Sequence, residues 1–267
     1  MDRYRVKPGK NVNLQELDPD ENNEFSGTKT AGLEKLAKLT KRLGELQEVL
    51  YAEHKQKILI VFQARDAGGK DGTIRSIFCD TNPQGIRVTS FKAPTPLELD
   101  HDYLWRIHQQ TPGKGEMVIF NRSHYEDVLV VRVHDIVPKT IWEKRYSHIR
   151  HFEEILAEEG TTIIKFYLNI SKEEQKKRFQ ERLDDPLKIW KFNPADLKER
   201  ALWDAYTQAY EDAINQTSTN FAPWYVIPSN KNWYRNLCIA EILVKTLEEL
   251  NMSYPATQPG MNKITIE

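Results

Sequence analysis

The residues best suited to chemistry stand just after two short apolar runs. Ile58–Phe62 runs directly into Gln63-Ala64-Arg65-Asp66-Ala67-Gly68-Gly69-Lys70-Asp71-Gly72-Thr73. Glycines at such a place let the backbone curl until successive N–H groups face an anion. A helix opening there adds its positive end, and Lys70 would reach terminal phosphates as a point charge. Against the pattern G-x-x-x-x-G-K-[S/T], Ala64 replaces the first glycine and Asp71 the Ser or Thr that ligates magnesium. Asp66 offers a carboxylate inside the loop, and magnesium needs only one or two carboxylates beside phosphate oxygens. The plainer reading is a Gly-rich strand-to-helix turn with a solvated lysine.

Met117–Phe120 is followed by Asn121-Arg122-Ser123-His124-Tyr125-Glu126-Asp127. The Arg122 guanidinium is planar, permanently charged and suited to bidentate phosphate recognition. Asn121 stands where phosphate-loop enzymes carry a metal-positioning acid, and it brings no formal charge. Glu126 and Asp127 would hold metal, orient water or choose an incoming nucleotide; the competing reading is a surface loop with ordinary ion pairs. Further along, Arg178 and Arg182 are four apart on one helical face. They suit a mobile basic helix that closes over phosphates, or a solvated amphipathic helix, since Glu173, Glu174, Glu181, Asp184 and Asp185 sit among them. Arg132 would reach phosphates or make a structural ion pair, and Arg235, where the last helix opens, could reach into the site, although nothing in its spacing requires it. The histidines His124, His134, His148 and His151 lack zinc-like spacing with cysteine. Trp203, Tyr206 and Tyr210 have the spacing of core packing on a helix.

Apolar runs of strand length must carry these segments: Ile58–Phe62, Ile86–Phe91, Met117–Phe120, Thr162–Leu168 and Trp224–Ile227. Continuous apolar runs mark strands buried on both faces. Helical periodicity lies between them, over Leu33–Ala52, Thr73–Phe78, Pro96–Gln110, Lys139–Glu158, Lys172–Leu183, Pro194–Thr217 and Trp233–Leu250. Regular alternation predicts an α/β fold with a mostly parallel sheet of about five strands and helices on both faces. Ligands bind at the carboxyl ends of such strands, where the two reactive segments stand. A single domain over 1–267 is expected, with residues 1–32 a polar, loosely structured lead-in and 171–200 a helical lid.

At 267 residues, 39% hydrophobic and 29% charged, the chain has ordinary globular chemistry. A formal net charge of -1 leaves no global basic field to favour nucleic acid or an anionic membrane. A polyanionic substrate would need a local cluster of Lys and Arg. Cys79 and Cys238 are too few for a disulfide scaffold. No apolar run nears the ~18 residues of a membrane span, and the first residues lack a signal peptide's apolar stretch. The expectation is a cytoplasmic, soluble enzyme.

Taken together, ARDAGGKDGT, FNRSHYEDVLVVRVH, SKEEQKKRFQERL and PWYVIPSNKNWYRN resemble the family-2 polyphosphate kinases over roughly residues 30–250. Many members read D-R-S-W-Y-N-R after the third strand; N-R-S-H-Y-E-D here is similar to the class III subgroup, which phosphorylates nucleoside mono- and diphosphates. The resemblance implies a three-layer phosphate-loop kinase fold like that of thymidylate kinase, with a helical lid. It implies phosphoryl transfer from inorganic polyphosphate to AMP and ADP, giving ADP and ATP, with Mg2+ or Mn2+ as cofactor. Asp66, Lys70 and Arg122 would be catalytic. Ala67, Gly68, Gly69, Lys70, Asp71, Gly72, Thr73, Arg122, Arg132, Arg178 and Arg182 would bind phosphates. Asn121, Glu126 and Asp127 would bind nucleotide, and Asp66, with Glu126 or Asp127, would bind metal. A homo-oligomer, dimer or tetramer, is expected. The alternatives are an ATP-dependent kinase of the same fold and a non-catalytic nucleotide-binding module.

Overall fold

A computed structural model describes residues 1–261 and 264–266. Each apolar run forms a strand: β1 (Lys57–Gln63), β2 (Ile86–Ser90), β3 (Met117–Asn121), β4 (Thr161–Asn169) and β5 (Trp224–Pro228). They pair in parallel in the order β2-β3-β1-β4-β5. The two-residue period of a strand divides the side chains between the faces. Ile58, Ile60 and Phe62 of β1 enter one buried cluster, and Leu59 and Val61 the other. Every one of these five is wholly buried, which is why β1 reads as an unbroken apolar run.

On the first face lie α1 (Lys29–Glu53) and α2 (Lys70–Ile77). The short turns α3 (Pro96–Leu99), α4 (Trp105–His108) and α5 (Val130–Val133) precede α6 (Lys139–Glu158). Then follow α7 (Lys172–Asp184), α8 (Ala195–Ala201), α9 (Trp203–Thr217) and α10 (Asn232–Glu249). α10 joins α1 on the first face, while α6 and α9 cover the second. The result is the three-layer α/β arrangement expected.

Three segments differ from what their sequence pattern predicts. The helix expected over Pro96–Gln110 is two single turns, α3 and α4. Thr95 closes a capping box over α3, and the Asp102 carboxylate accepts from Leu104 N at 2.9 Å before α4 begins, so local side-chain bonds displace the helical ladder between them. The helix expected over Pro194–Thr217 breaks at Leu202 into α8 and α9. The first residues are not loose. Val6 N donates to Trp224 O at 2.8 Å, Tyr4 Oη meets Tyr234 Oη at 2.6 Å, and Val6 and Leu14 are buried. Single apolar anchors in a polar stretch carry no periodicity to read. No helix among the described residues is long and apolar enough to cross a membrane.

Candidate active site

Parallel pairing brings the two reactive segments side by side. Phe62 lies opposite Asn121 in the β1–β3 register, and Arg122 N donates to Phe62 O at 3.2 Å. The chain therefore leaves both strands at one edge of the sheet, where its order reverses about β1. Such a crevice is where open α/β sheets bind ligands.

The first segment forms a loop that ends at the N-terminus of α2. Gly69 has φ +97°, and an added Cβ would collide with the Arg235 guanidinium, so only glycine fits there. Ala67 (φ 58°) and Arg122 (φ 61°) hold left-handed conformations without glycine's freedom, a strain that clusters at functional sites. Lys70 Nζ donates to Ala64 O at 3.0 Å across the loop. Burial and the nearby Arg122 charge push the Lys70 ammonium below its ordinary range, while Asp66, Glu126 and Asp71 oppose them.

Arg122 Nη2 meets Asp66 Oδ1 at 3.1 Å. Glu126 stands on a short 3-10 turn, His124–Asp127. The Gln63 amide, with its nitrogen donating, reaches Glu126 Oε1 at 3.1 Å. Burial raises the Glu126 carboxyl above its usual range, against the pull of Arg122 and Lys70. Asn121 Nδ2 donates to Asp71 Oδ1 at 2.7 Å, tying the end of β3 to the first turn of α2. Asp71 thus has a partner other than a metal.

Asp66, Arg122 and Glu126 line a cavity of about 310 Å³. Trp203, Tyr206 and Tyr210 of α9 and Asp196, Glu199 and Arg200 of α8 also line it. Of the three aromatic residues, Tyr210 is buried as core packing requires, whereas Trp203 and Tyr206 are partly exposed. Trp203 also lies under the Arg65 guanidinium, 3.8 Å from its ring centre. Tyr206 Oη donates to Glu199 Oε2 at 2.6 Å, and His134 Nε2 meets the same oxygen at 2.9 Å.

Other expected site residues do not line this cavity themselves. Asp127 meets Arg145 Nη1 of α6 at 3.1 Å, and burial pushes its carboxyl up to about 6 despite that ion pair. Arg132 makes the structural ion pair, 2.7 Å to Asp212, with its guanidinium over the Trp142 ring. Arg182 stands 4.0 Å from Asp196. Arg178 is buried behind the loop, bonded to Ala67 O at 2.9 Å and to Ser229 O at 2.6 Å. No side chain caps α10; Asn232 Oδ1 accepts from Arg178 and Arg235. Thr73 is wholly buried, and its hydroxyl has no protein partner.

A lysine-bearing loop between a buried parallel strand and a helix, with an arginine leaving the neighbouring strand, is the arrangement of a phosphate-binding α/β protein. The pattern of Polyphosphate kinase 2 (PPK2) matches residues 27–255, and the chain belongs to that family. It is 61% identical over 267 residues, all of both chains, to the AMP/ADP-polyphosphate phosphotransferase of Meiothermus ruber. It is 43% identical to the ADP-polyphosphate phosphotransferase of Rhodopseudomonas palustris, covering 98% of this chain and 94% of that one. The crystal structure of Polyphosphate Kinase 2 from Arthrobacter aurescens superposes with a TM-score of 0.93 at 44% identity, covering 96% of this chain and 91% of that one.

Proposed function

We propose that this chain transfers the terminal phosphoryl group of inorganic polyphosphate to AMP and to ADP, reversibly. One observation carries the reading: Asp66, Arg122 and Glu126 face one cavity beside the Lys70 loop, in a chain 61% identical end to end to an AMP/ADP-polyphosphate phosphotransferase. A nucleotide phosphate oxygen attacks the terminal phosphorus. The bridging P–O bond breaks, and the polyphosphate, one unit shorter, leaves with the electron pair. The attacking oxygen is already ionised near neutral pH, so no general base is required. Catalysis is then positioning and charge stabilisation of a loose, in-line transition state.

Lys70 and the loop amides would hold the donor's end. Arg122 would exchange its Asp66 partner for phosphate oxygens and neutralise charge during transfer. The Trp203 and Tyr206 rings suit the flat base of the acceptor, with Glu126 lining the same cavity. Arg182 and its neighbours on α7 and α8 would follow the phosphate chain outward.

No cluster of three or more His, Cys, Asp or Glu able to hold a metal occurs among the described residues. Magnesium fits nonetheless, because it prefers oxygen, retains waters and takes few protein ligands. Asp66 would hold it, with Glu126 as the second carboxylate, and Mn2+ would substitute. When bound, the metal would offset charge on the donor and acceptor phosphates.

Incubating AMP or ADP with long-chain polyphosphate, and separately a nucleoside with ATP, tests the reading by chromatography. Conversion of both nucleotides by polyphosphate supports it. Product from ATP and nucleoside alone replaces it with an ATP-dependent kinase, and binding without turnover in either mixture with a non-catalytic module.

A further inference from the structure

Three successive carbonyls of the phosphate loop are gripped from behind. Gln175 Nε2 donates to Asp66 O at 2.9 Å, and Arg178 Nη1 to Ala67 O at 2.9 Å. Arg235 Nη1 reaches Gly68 O at 3.5 Å, the outer limit of such a bond. Gly68 N donates within the loop to Arg65 O at 3.0 Å; holding the carbonyls back would leave the remaining loop N–H groups to face an anion.

The charges behind the loop do not balance. Arg178 has one carboxylate partner, Glu174 at 2.8 Å. Arg235 is 2% exposed, and its hydrogen-bond partners are uncharged: Gly68 O, Asn232 Oδ1 and the Asn236 side chain. A buried charge without a counter-ion is costly. Burial, reinforced by the Arg178 charge, pushes the Arg235 guanidinium down to about 9. The Arg235 guanidinium also packs against Gly69 itself, with no room for even a Cβ between them.

We propose that Arg235, with Arg178, is the buried cationic floor of the phosphate loop: a positioning pair that keeps the loop carbonyls turned back and whose surplus charge is balanced by polyphosphate bound on the loop's front. The inference rests on the polyphosphate reading above. It gives Arg178 a role acting through the loop, in place of the direct phosphate contact expected from sequence. It also couples α7, which carries Gln175 and Arg178, to the shape of the nest.

The test compares wild type, Arg235→Gln and Arg235→Lys. Ligand-free melting is measured first, then melting with added polyphosphate, then initial rates over polyphosphate and AMP concentrations. Arg235→Gln keeps or exceeds the wild-type ligand-free Tm, because the surplus charge is gone. It loses about 10- to 100-fold in kcat/KM for polyphosphate, the worth of a hydrogen bond from a charged group. The KM for AMP stays near wild type, and the polyphosphate-induced rise in Tm shrinks. Arg235→Lys keeps the charge without the planar fork and loses about tenfold. Wild-type KM for polyphosphate and a wild-type Tm rise in Arg235→Lys, and in Arg235→Gln if it folds, overturn the proposal. Failure of the wild-type enzyme itself to be stabilised by polyphosphate, or to use it, overturns the underlying reading instead.

Discussion

Replacing Glu153 with Gln probes the polar network that supports the site from within the core. Lys165 interrupts the apolar run of β4, and both its ammonium and the Glu153 carboxylate are wholly buried. Lys165 Nζ donates to Glu153 Oε2, to Tyr125 Oη at 2.9 Å and to Thr217 O at 2.9 Å. Tyr125 Oη donates in turn to Glu153 Oε1 at 2.8 Å, and His124 Nε2 lies 3.2 Å from the same oxygen. His124 and Tyr125 directly precede Glu126, so the network anchors the turn that carries a cavity carboxylate. Glu153→Gln preserves shape and strands a buried cation. Removing one partner of a buried pair costs about 3–5 kcal/mol. At about 2–4 °C per kcal/mol for chains near this size, Tm falls by about 6–20 °C. The assay is thermal unfolding by calorimetry and circular dichroism, with Lys165→Met and the double variant closing the cycle. The double variant recovers most of the loss, because no lone charge remains. A Glu153→Gln loss under about 1 kcal/mol, or a double variant as unstable as the sum of the singles, refutes the reasoning.

The same pair sets an acid limb. Burial alone would raise the Glu153 carboxyl, but Lys165 and His124 outweigh it and hold it below the ordinary 4.5. Its contribution is therefore complete above that value and is lost as pH falls through the lower folded one. The Tm gap between wild type and Glu153→Gln should stay constant from about pH 5 to 7 and narrow below about 4.5; a gap that widens in acid contradicts the sign. Lys70→Ala abolishes phosphoryl transfer and leaves the circular dichroism spectrum unchanged, and retained turnover removes Lys70 from the mechanism. Gly69→Ala meets both a positive φ and the Arg235 guanidinium, so polyphosphate KM rises by at least about tenfold, as for losing one charged hydrogen bond; steady-state kinetics with an unchanged KM would sink that account of the loop.

The sheet was legible because β1, β3, β4 and β5 are buried on both faces and so write continuous apolar runs. Asp66, Lys70, Arg122 and Glu126 were legible because a parallel sheet puts strand ends on one edge. What sequence order does not give is the direction of each side chain beyond that edge. Glu126 and Asp127 are adjacent in sequence, yet one faces the cavity and the other Arg145. Arg132 is turned to Asp212, a partner that only α9 brings near. Trp203 and Tyr206 read as core because helical spacing is the same whether the neighbour is packed protein or a cavity. Gln175, an uncharged residue among charges, gave no signal of its bond to the loop. The lone lysine in the β4 run did carry one: a charge in a strand buried on both faces needs a partner.

The central claim is that the phosphoryl group comes from polyphosphate and passes to both AMP and ADP. A 31P NMR time course tests it most directly, on purified protein with magnesium, long-chain polyphosphate and AMP, and no ATP. The account predicts that the ADP β-phosphate signal rises first and the ATP γ-phosphate signal follows, with interior polyphosphate signal falling in step with the phosphoryl groups transferred. Appearance of neither nucleotide signal, in protein that still phosphorylates an acceptor when ATP is supplied, would contradict it.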